Sequence, residues 1–306
     1  MLIFQKKRNN LTFVREIAVG LEREIQKITE ANLQEIFGYQ LVSSEFSLHN
    51  FRIDTLAFDP ESKSFVIIEY KKDRSFSVID QGYAYLALML NNKADFILEY
   101  NEKMKQNLRR KDIDWSQSKV LFLANSFTPY QKSAINFKDL PIELWEVKVF
   151  ENNIIVYNKI ETPESKESIK VISKHKSSSV VEREIKTYTL DHHLDRIPEE
   201  IKYLFYTLRE KILNLDPNIK EVIRKKYIGY KITKNFAEVH LKRKCIKIWL
   251  DIEKKRLKDP RNLGRDMTGI GHWGTGNVEL RLSKEEDLDY IVNLVRQSLI
   301  ANYKNG

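Results

Sequence analysis

From Leu11 to Phe37 the apolar side chains Phe13, Ile17, Leu21, Ile25, Ile28, Ile36 and Phe37 recur at spacings of three and four or their multiples. That pattern predicts a helix with one buried face, with Gly38 as its C-terminal cap. Segments 39–47, 51–58, 64–70, 118–124 and 144–158 are short and rich in β-branched and aromatic residues, and turn formers such as Asp59-Pro60 and Asn152-Asn153 bound them. They predict strands. Helices are expected between them at Ser77 to Asn91 and Thr128 to Phe137, where Thr128 and Pro129 form an N-cap and first-turn pair. Residues 1–160 therefore read as an α/β domain, a mixed sheet flanked by helices. From Glu161 to Lys186 the chain turns to Glu, Ser and Lys with almost no aromatics, which predicts a polar linker over 161–190. Helical periodicity resumes near Pro198 with Ile201, Leu204, Phe205, Leu208 and Ile212, and a short helix is expected over Ile219 to Lys226. Strands follow at 227–233, 236–242, 245–252 and 277–282, then a helix from Lys284 to about Ala301 capped by Ser283 with Glu286 in a capping box. Residues 191–306 thus form a smaller α+β domain.

The chain has 306 residues, enough for two buried cores, and its 42% hydrophobic and 31% charged content excludes disordered acidic tails and collagenous chains. The longest apolar run, Tyr83 to Leu90, falls short of the roughly 20 residues that span a bilayer, so no membrane association is expected. Met1 to Asn10 lacks the apolar core of a secretory signal, and a lone Cys245 cannot close an intrachain disulfide, which together point to a reducing cytoplasm. The net charge of +9 is unevenly placed. Residues 1–160 hold 22 basic and 21 acidic side chains, and 161–306 hold 30 and 22. The second half therefore carries the excess that a polyanion such as nucleic acid would meet.

The candidate chemistry lies in Phe51 to Lys71, two strands joined by a turn around Pro60 to Lys63. Alternation puts Glu69 and Lys71 on one face and Ile68 and Tyr70 on the other. A hairpin pivoting near Glu61 and Ser62 sets Asp54 opposite Glu69, where the two carboxylates could share a divalent cation, Mg²⁺ or Mn²⁺. A lysine two residues on can hold an attacking water or the charge developing on a phosphate, so the set fits phosphodiester hydrolysis. A Glu-x-Lys pair also occurs on any solvent-facing strand. What sets this one apart is that both carboxylates interrupt apolar runs.

Asp54, Glu69-Tyr70-Lys71 and Gln81-x-x-x-Tyr85 on the following helix resemble the PD-(D/E)XK nuclease superfamily, in its RecB-like and NucS-like branch. The resemblance covers about residues 15–160, with Arg52-Ile53-Asp54 and Ala94-Asp95-Phe96 also similar; Ile53 stands where many members have proline. It implies a restriction-endonuclease-like fold and a Mg²⁺-dependent DNA endonuclease or exonuclease. Asp54, Glu69 and the main-chain carbonyl of Tyr70 would be metal ligands and Lys71 the catalytic lysine. Gln81 and Tyr85, one turn apart, would close over the site and contact the scissile phosphate or support the lysine. A glutamate of the first helix would approach the metal, Glu22 fitting best beside Glu24 and Glu35. Lys72 and Arg74 follow closely enough to touch phosphates.

Residues 198–306 resemble a small domain of unknown function whose signature here is Gly271-His272-Trp273-Gly274-x-Gly276, and relatives of which are sometimes labelled predicted transport proteins. The glycines form no phosphate-binding loop, because no Gly-Lys-Ser/Thr follows. His192-His193 and His272 have no partners at zinc spacing. Within 224–258 basic residues including Lys242, Arg243, Lys244 and Lys247 interleave with Tyr227, Tyr230, Phe236 and Trp249. That is the makeup of a nucleic-acid surface, or equally of a core with solvated charges. The expected partner is DNA, with RNA open, and cutting both strands of a duplex would favour a homodimer. The competing reading is a non-catalytic nucleic-acid-binding or regulatory protein that retains the fold.

Overall fold

A computed structural model describes residues 2–17, 22–71, 77–136, 140–161 and 178–304, in two compact units, Met1–Thr187 and Tyr188–Gly306. In the first unit a hairpin of β1 (Phe4–Lys7) and β2 (Asn10–Phe13) precedes β3 (Glu16–Ile17), α1 (Glu22–Ala31) and α2 (Leu33–Phe37). Then come β4 (Gln40–Leu48), β5 (Phe51–Asp59), β6 (Ser64–Lys71), α3 (Val78–Asn91), α4 (Lys93–Met104), β7 (Lys119–Ala124) and α5 (Pro129–Ala134). The unit ends with β8 (Ile142–Phe150), β9 (Ile154–Lys159) and α6 (Ser178–Glu184). Its seven-stranded sheet runs β3-β8-β7-β6-β5-β4, with β9 paired to β8. The β6–β7 and β7–β8 pairs are parallel and the others antiparallel, so the first unit is a mixed α/β fold as expected.

Alternation along β5, β6 and β7 sorts the core into two layers. Leu56, Phe58, Phe65, Ile67, Val120 and Phe122 pack with α3 and α4. Ala57, Val66, Ile68, Tyr70, Leu121 and Leu123 pack with Ile25 of α1 and with Leu33 and Phe37 of α2. With both faces covered, β6 is buried at every position from Ser64 to Tyr70, which is why it reads as an apolar run interrupted by one charge.

Three expectations change here. The single helix expected from Leu11 to Phe37 is, among the described residues, strand over Leu11–Phe13 and two helices, Glu22–Ala31 and Leu33–Phe37; its residues 18–21 lie outside the described residues. Leu11 to Phe13 lie in β2, where Phe13 is registered against Phe4 with ring centroids 5.6 Å apart, so their three-and-four spacing was coincident with a strand pairing. The strand expected over 144–158 is two antiparallel strands that turn at Asn152 and Asn153, both left-handed at φ 63° and 60°. The polar linker contains α6, where Val181, 1% exposed, and Ile185 join the α3 core, and Glu184 pairs with Lys93 at 3.0 Å. Two apolar side chains on one face anchor a segment whose overall composition looked unable to order.

The second unit holds α7 (Leu190–Leu194), α8 (Glu199–Leu213), β10 (Lys220–Ile223), β11 (Ile228–Lys231), β12 (Asn235–Leu241) and β13 (Ile246–Leu250). It ends with β14 (Arg265–Asp266), β15 (Val278–Leu282) and α9 (Leu288–Lys304). The sheet runs β10-β11-β12-β13-β15-β14 and every pairing is antiparallel. The helix expected over 219–226 is strand β10, drawn into the sheet edge by pairing with β11. Ser283 and Glu286 do not form the expected capping box: a short 3-10 turn over Glu285–Asp287 leads into α9 instead.

Ala237, Val239, Leu241, Ile246, Ile248, Leu250, Val278, Leu280 and Leu282 share a core with Leu204, Phe205 and Leu208 of α8 and Ile291, Leu294 and Val295 of α9. The alternate positions Glu238, His240, Lys247, Trp249, Glu279 and Arg281 project from the opposite face. Among the described residues no helix is long and apolar enough to cross a membrane.

Candidate active site

The β5–β6 hairpin has the register the turn predicts, from Asp59 opposite Ser64 to Thr55 opposite Ile68, so the next position sets Asp54 beside Glu69. Both continue the rows of Leu56–Phe58 and Phe65–Ile67, on the face under α3. The pair is cross-linked through the backbone. Asp54 N–H donates to Glu69 Oε1 at 3.2 Å, and Tyr70 N–H donates to Asp54 Oδ2 at 3.0 Å. Lys71 Nζ donates to Glu69 Oε2 at 3.2 Å. Three of the sequence-predicted groups thus meet at one end of the hairpin, with Lys71 still partly exposed.

Burial dominates the electrostatics. Glu69 is 2% exposed. Desolvation, joined by the neighbouring Asp54 charge, pushes its carboxyl from 4.5 up to about 7 against the pull of Lys71. Asp54 is also raised, first by burial and then by the Glu45 and Glu22 carboxylates, while the Tyr70 N–H and Lys71 pull it down. Two desolvated carboxylates with one ammonium, bonded to Glu69, form an electron-rich pair short of positive charge. This is the donor set that suits a hard divalent cation with retained waters.

The α3 helix starts where Ser77 Oγ accepts the Asp80 N–H at 3.3 Å. That start orients Gln81 and Tyr85 onto the pair. Gln81 Nε2 donates to the Tyr85 hydroxyl at 3.3 Å, and the hydroxyl donates to the Arg52 carbonyl, also at 3.3 Å. Burial, then the nearby Glu69 carboxylate, raises the Tyr85 hydroxyl, so it remains a neutral donor. Glu22 is exposed at the first position of α1, close enough for its charge to act on Asp54. The Tyr70 ring points to the opposite layer, where its hydroxyl lies 3.3 Å from Thr55 Oγ1. Lys72 and Arg74 lie outside the described residues.

Sequence reasoning missed the polar frame behind the hairpin. Gln26 of α1 donates from Nε2 to the Asp54 carbonyl at 3.0 Å and to Glu30 Oε1 at 3.1 Å. Thr55 Oγ1 donates to the same Glu30 oxygen at 2.6 Å. Glu45, ion-paired with Arg52, adds the charge that raises Asp54. The only signal for these groups was a run of polar positions on the buried face of an amphipathic helix. Among the described residues no cluster of three or more His, Cys, Asp and Glu side chains could hold a metal ion. A metal at the Asp54–Glu69 pair would therefore rest on two carboxylates completed by main-chain oxygen and water.

In the second unit the basic residues and the aromatic ones separate. Tyr227, Tyr230, Phe236 and Trp249 are all buried, so none of the four interleaved rings offers a face to a base. Lys242, Arg243 and Lys244 are exposed in the turn between β12 and β13, whereas Lys247 is drawn onto Glu279 at 2.9 Å. The glycine signature is close-packed at Gly276, where a Cβ would stand 2.8 Å from the Leu250 backbone, and open at Gly271, where a Cβ would meet nothing within 4 Å.

A mixed-sheet α/β unit carrying a buried carboxylate pair and a lysine is thus followed by an antiparallel α+β unit, and residues 190–299 of the latter match the domain of unknown function DUF5655. Over 300 residues the chain is 45% identical to a Haemophilus influenzae protein described as uncharacterized, covering 98% of this chain and 99% of that one. The chain belongs to the family of that protein. Two solved structures follow part of its course. One is a repair endonuclease from Pyrococcus abyssi, at 15% identity over 43% of this chain and 50% of that chain, with a TM-score of 0.25. The other is an EndoMS–dsDNA2 complex, at 14% identity over 48% and 64%, also with a TM-score of 0.25. The chain spans half the length of the first and 64% of the second, and neither superposition assigns a role to any residue.

Proposed function

We propose that the protein is a metal-dependent nuclease of the PD-(D/E)XK type that hydrolyses phosphodiester bonds in DNA, its basic second unit holding the substrate. One observation carries this reading: Asp54 and Glu69, two desolvated carboxylates, are tied to each other's strand through backbone N–H groups, with Lys71 on the second oxygen of Glu69. Asp54, Glu69 and the Tyr70 carbonyl would hold Mg²⁺ or Mn²⁺. When bound, the ion supplies a Lewis acid for the phosphoryl oxygen and lowers the pKa of a coordinated water. Lys71 orients the attacking water and neutralises charge on the phosphate as it becomes pentacoordinate. Gln81 and Tyr85 donate toward the phosphate from α3, and Glu22 extends the acidic rim. Lys72 and Arg74 would track the adjoining backbone, as would Lys242, Arg243 and Lys244 in the second unit. Cutting both strands of a duplex with one such centre would require two chains.

The test is cleavage of single-stranded, duplex and branched DNA, with an RNA arm, in Mg²⁺, Mn²⁺ and EDTA. Metal-dependent products from the wild type, lost in Glu69→Ala and Lys71→Ala with DNA binding retained, support the reading. DNA binding by a wild type that leaves every substrate intact would replace it with a binding or regulatory role.

A further inference from the structure

The loop that carries the glycine signature, which the nuclease reading leaves unused, is held at its base and open at its tip. Glu238 of β12 is buried on the face of the second sheet opposite α8 and α9. It accepts the Thr275 N–H at 2.9 Å, the Thr275 hydroxyl at 2.8 Å and the Gly276 N–H at 3.4 Å, while Asn235 donates to it at 3.1 Å. Met267 N–H donates to the Asn277 carbonyl at 2.8 Å, closing the loop, and Gly269 turns it at φ 74°. Inside this frame the His272 ring lies 5.3 Å from the buried Trp249 ring. Trp273 next to it is 46% exposed, and Lys226 Nζ stands 5.2 Å from the centre of its ring.

The surrounding sheet face is cationic. Across β12, β13 and β15 the register aligns His240, Lys247 and Arg281 in one row. Its fixed counter-charge is Glu279, shared by Lys247 at 2.9 Å and Arg281 at 3.0 Å. His240 adds no charge to the row: burial first, then Lys242, His193, Lys247 and Lys226, hold its imidazole down to about 4, so it is neutral near pH 7. Lys226, Lys247 and Arg281 therefore outweigh Glu279 on this face, and the tethered loop presents the exposed Trp273 ring beside Lys226. A ring held in place loses little freedom on binding.

We propose that Trp273 is a base-stacking platform and that Lys226 with Lys247 and Arg281 tracks the phosphates beside it, so that the second unit binds single-stranded DNA. An aromatic face reaches a base only when the base is unpaired, and cations alone bind duplex and single strand alike. The inference builds on the second unit as the substrate-holding half, and it is separable from catalysis because binding is read without metal. The probe is a fluorescein-labelled oligothymidylate of about 20 nucleotides, titrated with the full chain in EDTA and followed by anisotropy, with the matched duplex and oligouridylate in parallel.

Trp273→Ala should weaken oligothymidylate binding about tenfold, the size expected for one lost stacked base, while Trp273→Phe stays within a few-fold of wild type. Lys226→Gln should flatten the dependence of log Kd on log salt by about 0.7. Thermal melting should be unchanged in all three, because the side chains are exposed. Unchanged affinity in Trp273→Ala, or preference for the duplex or the RNA over oligothymidylate, would overturn the proposal. Metal-dependent cleavage by Trp273→Ala, measured separately, reports on the Asp54–Glu69 centre alone.

Discussion

Glu69→Gln should make the metal-free protein more stable at alkaline pH, although most substitutions at buried positions destabilise. The Glu69 carboxyl stands at about 7 in the folded chain against 4.5 for an ordinary glutamate. The folded state therefore binds the proton more tightly than the unfolded state does. The contribution of Glu69 to stability is greatest below pH 4.5, falls as pH rises through the interval to 7, and is level above it. At about 1.4 kcal/mol for each tenfold change in proton affinity, the cost of holding the ionised carboxylate beside Asp54 is about 3 kcal/mol. Glutamine copies the shape of the protonated acid and keeps an oxygen for the Asp54 N–H. The substitution should recover most of that energy at pH 8.5 and little near pH 4.5. The assay is urea unfolding in EDTA at both pH values, with pulse proteolysis and mass spectrometry of β5–β6 peptides assigning the transition to the first unit. A variant no more stable than wild type at pH 8.5 would refute the claim that this carboxylate is held against its own desolvation. By the same linkage, Mg²⁺ should raise the wild-type midpoint more at pH 8 than at pH 5, and should do little for Glu69→Gln.

Two further outcomes test the supporting structure. Val181→Ala should lower the stability of the first unit by about 2 kcal/mol, because α6 rests on two buried side chains, and a urea series would measure it; no change would remove α6 from that core. Glu238→Ala leaves the Thr275 and Gly276 N–H groups without their carboxylate, so it should destabilise the second unit by at least about 2 kcal/mol and open residues 267–277 to limited proteolysis; wild-type resistance there would show that the carboxylate is not the loop's anchor.

The hairpin was legible because strand alternation and a short turn leave few registers, and residues 51–71 satisfied one that joined Asp54 to Glu69. The Gln81–Tyr85 pair was named through the family resemblance, and helical spacing placed the two on one face. What could not be read depended on partners distant in sequence. Lys220 to Ile223 carries no strong strand signal and is extended because β11 pairs with it. The α6 helix hides in a polar stretch because two side chains supply its burial. Gln26 and Glu45 reach the site only through the packing of α1 and β4 against β5. The four rings among the lysines of 224–258 matched both a binding surface and a core, and antiparallel pairing under two helices resolved them into the core. The exposed ring turned out to be Trp273, inside a glycine signature read only as a tight loop.

The central claim is that Asp54, Glu69 and Lys71 form a hydrolytic centre, and its most direct measurement is a cleavage assay on purified full-length wild type, Glu69→Ala and Lys71→Ala. The substrate panel is single-stranded, duplex and branched DNA with Mg²⁺ or Mn²⁺, with binding followed in EDTA. Wild type should give metal-dependent products, either variant at least about a hundredfold less, and DNA affinity should be unchanged in all three. Undiminished cleavage by the variants, or none from wild type on any substrate with either metal, would contradict it.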